Sequence, residues 1–205
     1  MRLLLLSFLL LGFTTANAAT LVTDFNELEG AVGTFYSVVE GTEFEGGLKA
    51  TEVIGGVVWA DELNGPPQTD GISMMLNTSG EVTFERTDGT AFNLDAFTLS
   101  FLCSPETCSD LTLSGTKAAG GIVNQAYDLA GTGLDPALYE STTIATDDRF
   151  RKLTSFTFSG ISESITGPIF IMDDIQTSVV PVPAAVWLFG SALAGLGWFR
   201  RRQTA

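Results

Sequence analysis

Histidine is absent from this 205-residue chain, cysteine occurs twice, and ten basic residues face 24 acidic ones. Each shortage closes off some chemistry. Without histidine there is no Ser-His-Asp triad, no Cys-His dyad, no His general base and no His-containing metal centre. Two cysteines by themselves cannot build a structural zinc or an iron–sulfur site. A sequence pI near 4.1 leaves no basic footprint for phosphates, which excludes nucleic acid as a partner. No sustained helical period runs through the middle of the chain, and no internal repeat is visible there.

What is present is unevenly placed. Mean hydropathy is +0.28 despite 24 acidic residues, so the apolar residues must be concentrated apart from the charges. They lie at the two ends: Met1 to Ala18 holds one charge, Arg2, and Ala184 to Phe199 holds none. The segment from Ala19 to Val180 carries all 24 acids and six of the ten bases, a net of −18. Such a segment is soluble, repels copies of itself and suits cations. At the N-terminus Arg2 precedes an apolar run of 11 residues, Leu3 to Phe13, followed by Ala16-Asn17-Ala18. This order predicts a secretory signal peptide over residues 1–18 with Ala16 and Ala18 as the Ala-x-Ala cleavage signal. The run is short against the roughly 20 residues that span a bilayer.

At the other end Val180, Pro181, Val182 and Pro183 lead into the 16 uncharged residues Ala184 to Phe199, and Arg200, Arg201 and Arg202 close the run. Pro183 suits the first turn of a helix, where a backbone N–H has no partner in any case. Residues 184–199 are predicted as a single transmembrane helix. The three arginines stay on the cytoplasmic side, which leaves the acidic domain outside. The Val-Pro-Val-Pro-Ala-Ala-Val-Trp-Leu-Phe-Gly-Ser stretch, with its short hydrophobic helix and arginine cluster, resembles a PEP-CTERM sorting tail of the VPxP type. The resemblance covers residues 179–205. It implies an exported bacterial protein held in the inner membrane by its tail and processed by an exosortase-type membrane peptidase. The same family is associated with extracellular polysaccharide and biofilm matrix. The two prolines independently predict an extended, helix-free segment that a membrane protease can reach.

Residues 19–178 read as strands punctuated by turns. Thr34–Val39, Leu48–Val53, Val57–Ala60, Glu81–Thr87, Phe92–Phe101, Leu111–Ser114, Leu153–Ser159 and Ile169–Thr177 are rich in Val, Ile, Thr and Phe, and Gly, Pro, Asn and Asp separate them. Val82, Phe84 and Arg86 alternate with Glu81, Thr83 and Glu85, so one face of that strand is predicted to be buried. The pattern predicts an all-β fold, an antiparallel β-sandwich of the jelly-roll kind. Two phrases, Gly89 to Phe97 and Phe170 to Ile175, are similar to segments of PEP-CTERM ectodomains and jelly-roll carbohydrate-binding modules. That similarity implies a core strand after a turn and a last strand.

Several side chains are candidates for chemistry. In an ideal strand Asp173 shares a face with Ile171 and Ile175, and a carboxylate buried there needs backbone N–H groups, an arginine or a cation. Asp24, Asp173 and Asp174 are therefore the candidates for a structural calcium if the first and last strands pair; backbone hydrogen bonding is the alternative. Cys103 and Cys108, on either side of a proline turn outside the cytosol, are predicted to form a disulfide. Asp147-Asp148 and Asp61-Glu62 are the carboxylate pairs a glycan hydrolase would need. Trp59, Tyr36 and Tyr127 are the rings that could stack on sugars. With no catalytic constellation in view, the leading expectation is a non-enzymatic, exported surface or matrix protein whose sandwich binds polysaccharide. A glycan hydrolase and a purely structural or adhesive protein are the alternatives.

Overall fold

A computed structural model describes residues 19–25, 38–54, 57–60, 73–76, 80–102, 110–128, 141–160 and 169–180. Ala19–Val180 makes one compact unit. Its described residues form eleven strands, β1 Thr20–Thr23, β2 Leu48–Ile54, β3 Val57–Ala60, β4 Ser73–Leu76, β5 Glu81–Arg86, β6 Phe92–Leu102, β7 Leu111–Lys117, β8 Ile122–Tyr127, β9 Ser141–Ala145, β10 Leu153–Gly160 and β11 Ile169–Val179. Every pairing among them is antiparallel. The expected Thr34–Val39 strand falls mostly outside the described residues, and its last two, Val38 and Val39, are not in a strand.

All eleven strands belong to one sheet that curls into two layers. In the first layer β10 lies between β5 and β7, with Phe158 opposite Val82 on one side and Leu113 on the other. Adding β2 beside β5 and β8 beside β7 completes it. In the second layer β6 runs between β9 and β11. The far edge of β11 takes β4 along Phe170–Met172 and β1 along Ile175–Ser178. The layers are joined where Leu153 of β10 pairs with Phe92 of β6.

Period-two alternation fills the space between the layers. Val82, Phe84 and Arg86 are buried, while Glu81, Thr83 and Glu85 are only partly so, as the sequence predicts. Phenylalanine rings cross the gap: Phe97 of β6 meets Phe158 of β10 with centroids 4.9 Å apart, and Phe92 meets Phe156 at 5.8 Å. Phe158 also touches Phe84 and Phe156, so rings from β5, β6 and β10 interlock. Each such ring, fully buried, contributes on the order of 2 kcal/mol of apolar transfer.

The last strand departs from ideal alternation. Phe170 and Met172 face the core, but Asp174 takes a left-handed backbone with φ of 47°, and the pairing with β6 shifts between Asp173 and Gln176. After this bulge Ile175 faces the core instead. Asp173 therefore does not share the core face with Ile175. It sits on the opposite face with Ile171 and is still only 2% exposed. Its Oδ1 accepts the backbone N–H of Asp174 at 2.9 Å.

Candidate functional site

The first and last strands pair, ending with Thr23 opposite Ile175, so Asp24 lies just past the end of this pairing. Among the described residues, however, no group of three or more metal-ligating side chains gathers, so Asp24, Asp173 and Asp174 do not form a calcium ligand set. The bulge is the physical reason: it turns Asp173 to the other face, where its carboxylate caps its own neighbour's N–H. The proposed cleavage residues Ala16 and Ala18, the cysteines Cys103 and Cys108, the sorting residues Pro181, Val182 and Pro183, and Arg200, Arg201 and Arg202 lie outside the described residues. So do Asp61-Glu62 and Tyr36. Val180 is the last described residue, and its N–H donates to Ala91 O at 3.4 Å. Trp59 lies in β3, paired with Met74. Among the described residues no helix is long and apolar enough to cross a membrane.

The outer face of the first layer is hydroxyl-rich and carries no aromatic ring among its described side chains. Its middle row runs Glu52, Thr83, Thr157, Ser114 and Asn124 across β2, β5, β10, β7 and β8. Thr83 and Thr157 bond to each other at 2.9 Å, so part of that polarity is satisfied within the face.

A different constellation forms at the open side of the sandwich, where the edge strands β8 and β9 each have one partner among the described residues. On β8, alternation turns Val123, Gln125 and Tyr127 inward. The Tyr127 ring stands edge-on to Phe97, centroids 5.6 Å apart, and is thereby fixed from behind. The connection from β9 to β10 is locked beside it. Thr146 donates through its hydroxyl to Leu94 O and through its N–H to Asp95 O at 2.9 Å. Asp147 Oδ1 accepts the Arg149 N–H at 2.8 Å and so caps the short 3-10 turn Asp148–Phe150, whose Phe150 is buried.

This turn carries Arg149 to Tyr127 and Gln125. Arg149 Nε donates to Asp147 Oδ2 at 2.8 Å, Nη2 lies 2.7 Å from the same oxygen, and Nη2 also donates to Gln125 Oε1. Lys117 Nζ holds the loop backbone by donating to Arg149 O and, at 2.8 Å, to Arg151 O. Arg151 Nη1 donates to Asp95 Oδ1. Lys117, Arg149, Arg151 and Lys152 are four of the six basic residues of this acidic segment, and all four lie around this one loop.

The charges settle what these groups can do. The Arg149 guanidinium beside Asp147 holds that carboxyl below the usual carboxylate range, so Asp147 keeps no proton for general-acid work at neutral pH. Asp148, the other half of the expected hydrolase pair, is fully exposed. Burial, and then the Asp147 charge, push the Tyr127 hydroxyl up to about 12, so the ring stays neutral. The arrangement is a fixed aromatic ring beside planar amide, guanidinium and carboxylate groups. Lys117, Gln125, Arg149, Arg151 and Asp95 escaped the sequence reading because the fold gathers them from separate strands. The only local hint was the dense charge run from Asp147 to Lys152.

Taken together, these features describe an antiparallel all-β curled sheet with a polar–aromatic cluster at its open side. No family model matches the chain, and no curated protein matches it. Among solved structures it is similar to a family 29 carbohydrate-binding module, at 10% identity and a TM-score of 0.41 over 71% of this chain and 88% of that one. It is also similar to a family 61 module solved with β-1,4-galactotriose, at 9% identity and a TM-score of 0.38, covering 77% of this chain and 95% of that one. A xylan-binding domain from Paenibacillus barcinonensis aligns at 11% identity with a TM-score of 0.35, over 81% of this chain and 96% of its own.

Proposed function

We propose that this is an exported bacterial surface or matrix protein whose β-sandwich, of the jelly-roll kind, binds polysaccharide without catalysing its cleavage. A leader over residues 1–18 directs export. A PEP-CTERM-like tail over residues 179–205 anchors the protein in the inner membrane until an exosortase-type peptidase acts on it. The export half rests on the acid-free, apolar ends of the chain with their few arginines and on the order of the tail motif. The binding half rests on one observation, the Tyr127–Gln125–Arg149–Asp147 cluster. A saccharide offers an apolar ring face and a rim of hydroxyls, and recognising it takes a ring surface with fixed planar donors and acceptors beside it. Here the donors are already oriented by Asp147 and by the Lys117-held loop, so little ordering is left to oppose binding.

A glycan-binding screen of Ala19–Val180, with and without calcium, tests the binding half. Retention on polysaccharides in both conditions is expected. Retention only with calcium would move the site away from this cluster, and none at all would leave an adhesive or structural protein. For the export half, a reporter fused after Val180 is active only in its exported form, and activity there without export would contradict the topology.

A further inference from the structure

We propose that the free edge of β8 is a docking edge for a second copy of this chain, which joins two sandwiches through an antiparallel β8–β8 pair. The ladder fixes which groups are available. Lys117 N–H donates to Gly121 O at 2.9 Å, and the register continues through Gly115 with Val123 and Leu113 with Gln125. Residues 121, 123, 125 and 127 therefore turn their backbone groups toward β7, and Ile122, Asn124 and Ala126 turn theirs outward. The Gln125 side chain confirms this phase, because its Nε2 donates to Ala126 O at 3.1 Å on the outer edge. Among the described residues no strand covers this edge. Ile122 and Asn124 turn both backbone groups outward and Ala126 its N–H, while the Ala126 O already accepts from Gln125, and such outward donors and acceptors are a template for strand addition.

The occupant follows from charge. The segment as a whole carries −18, so two copies repel each other except where charge is missing. From Ala118 to Tyr127 there is no charged residue. The opposite edge of the same layer, β2, carries Lys49 and Glu52, and an isolated bridge from Glu43 to Lys49 blocks part of it. Such charges guard an edge; the residues of β8 itself carry none, and Arg149 meets the strand through the Gln125 amide. Ile122 on β8 is 73% exposed, more than Val22, Val39 or Ile54, the other large exposed apolar residues described. A two-fold axis at Asn124 makes the strand self-complementary. It sets Asn124 opposite its own copy, Ile122 opposite Ala126 and Val123 opposite Gln125, with no like charges facing. The exposed Ile122 would then be covered by the Ala126 methyl of the other copy.

Asn124→Cys reads this geometry directly. A hydrogen-bonded antiparallel pair spaces its Cα atoms about 5.5 Å apart, inside the roughly 4.4–6.8 Å that a disulfide accepts. The full chain in mild detergent is oxidised and run on a non-reducing gel beside Thr143→Cys, an exposed position on the other edge strand, β9. The β8 variant should form about ten times more covalent dimer, the ratio that about 1.4 kcal/mol of preference produces. Adding Ile122→Lys should bring it down to the Thr143→Cys level. In a second arm, Asn124→Pro removes only an outward N–H, which an edge strand tolerates. Light scattering should find that variant monomeric, with its β circular dichroism retained. Equal crosslinking at positions 124 and 143, or a dimer that survives Asn124→Pro, would overturn the proposal.

Discussion

Gly46 and Gly89 both hold left-handed backbones, with φ of 76° and 67°, but their surroundings differ. A Cβ on Gly89 meets nothing within 4 Å, whereas one on Gly46 would sit 2.6 Å from the Val22 carbonyl oxygen and the Thr23 hydroxyl. Gly46 is where the 3-10 turn before β2 presses on β1, whose Thr23 hydroxyl donates to Glu45 O at 2.7 Å. Gly89→Ala should cost about 1 kcal/mol from the left-handed conformation alone. Gly46→Ala adds a collision with backbone and should cost about 3 kcal/mol or more. Urea unfolding of the two variants checks this, and equal midpoints would contradict it. Neither the close approach at Gly46 nor the bulge at Asp174 was legible in the sequence. A glycine in a turn and an aspartate in a strand look ordinary until the register of their neighbours is known. The face that Asp173 shares was misjudged for that reason, because ideal alternation was carried through a residue that breaks it; its burial and its backbone hydrogen bond are among what the sequence allowed.

Strands whose two faces differ sharply were legible, and so were the edge strands β2 and β3, but the edge strands β8 and β9 were not. β5 and β10 alternate large apolar with polar residues, so the sequence places both, and the structure has them side by side. Ile122–Tyr127 and Ser141–Ala145 lie at edges, with Asn, Gln, Thr and Ala in place of a buried row, and so carry little period-two signal. The β5–β6 turn is held by charge. Asp88 accepts Arg86 Nε at 3.0 Å, Arg86 Nη2 at 2.9 Å and the Thr90 N–H at 2.9 Å. The Arg86 guanidinium, and then Thr90, hold the Asp88 carboxyl far below the usual carboxylate range. Arg86 is only 7% exposed, and its Nη1 already lacks a partner. Asp88→Ala should therefore cost about 2 kcal/mol, discounted because Asp88 itself faces water, and more than Arg86→Leu, which removes the buried charge together with the pair. Because the folded-state pKa is depressed, this stabilisation is present above the unfolded value of about 4 and is lost as pH falls below it. Denaturation of both variants between neutral and acid pH tests the point. A milder effect from Asp88→Ala than from Arg86→Leu would contradict it.

Across the whole molecule, acid-free ends flank an acidic middle. Under the function proposed above, the ends would carry the export and sorting signals, and they could be read from the sequence because the order of residues along the chain is itself the signal. The middle carries the folded domain, whose candidate site was legible only as single residues such as Tyr127 and Asp147. Its assembly was hidden because Asp95, Lys117, Gln125, Tyr127 and Arg149 are brought together by pairings far apart in sequence. The central claim is that polysaccharide binds at this open side and not on the hydroxyl-rich face around Thr83 and Thr157. The most direct measurement is a calorimetric titration of Ala19–Val180 with a polysaccharide retained in the screen, run in parallel on wild type, Arg149→Ala and Thr157→Ala. Arg149→Ala should weaken binding by about tenfold or more, the equivalent of about 1.4 kcal/mol, and Thr157→Ala should leave it unchanged. Unchanged binding by Arg149→Ala, with loss in Thr157→Ala, would contradict the account.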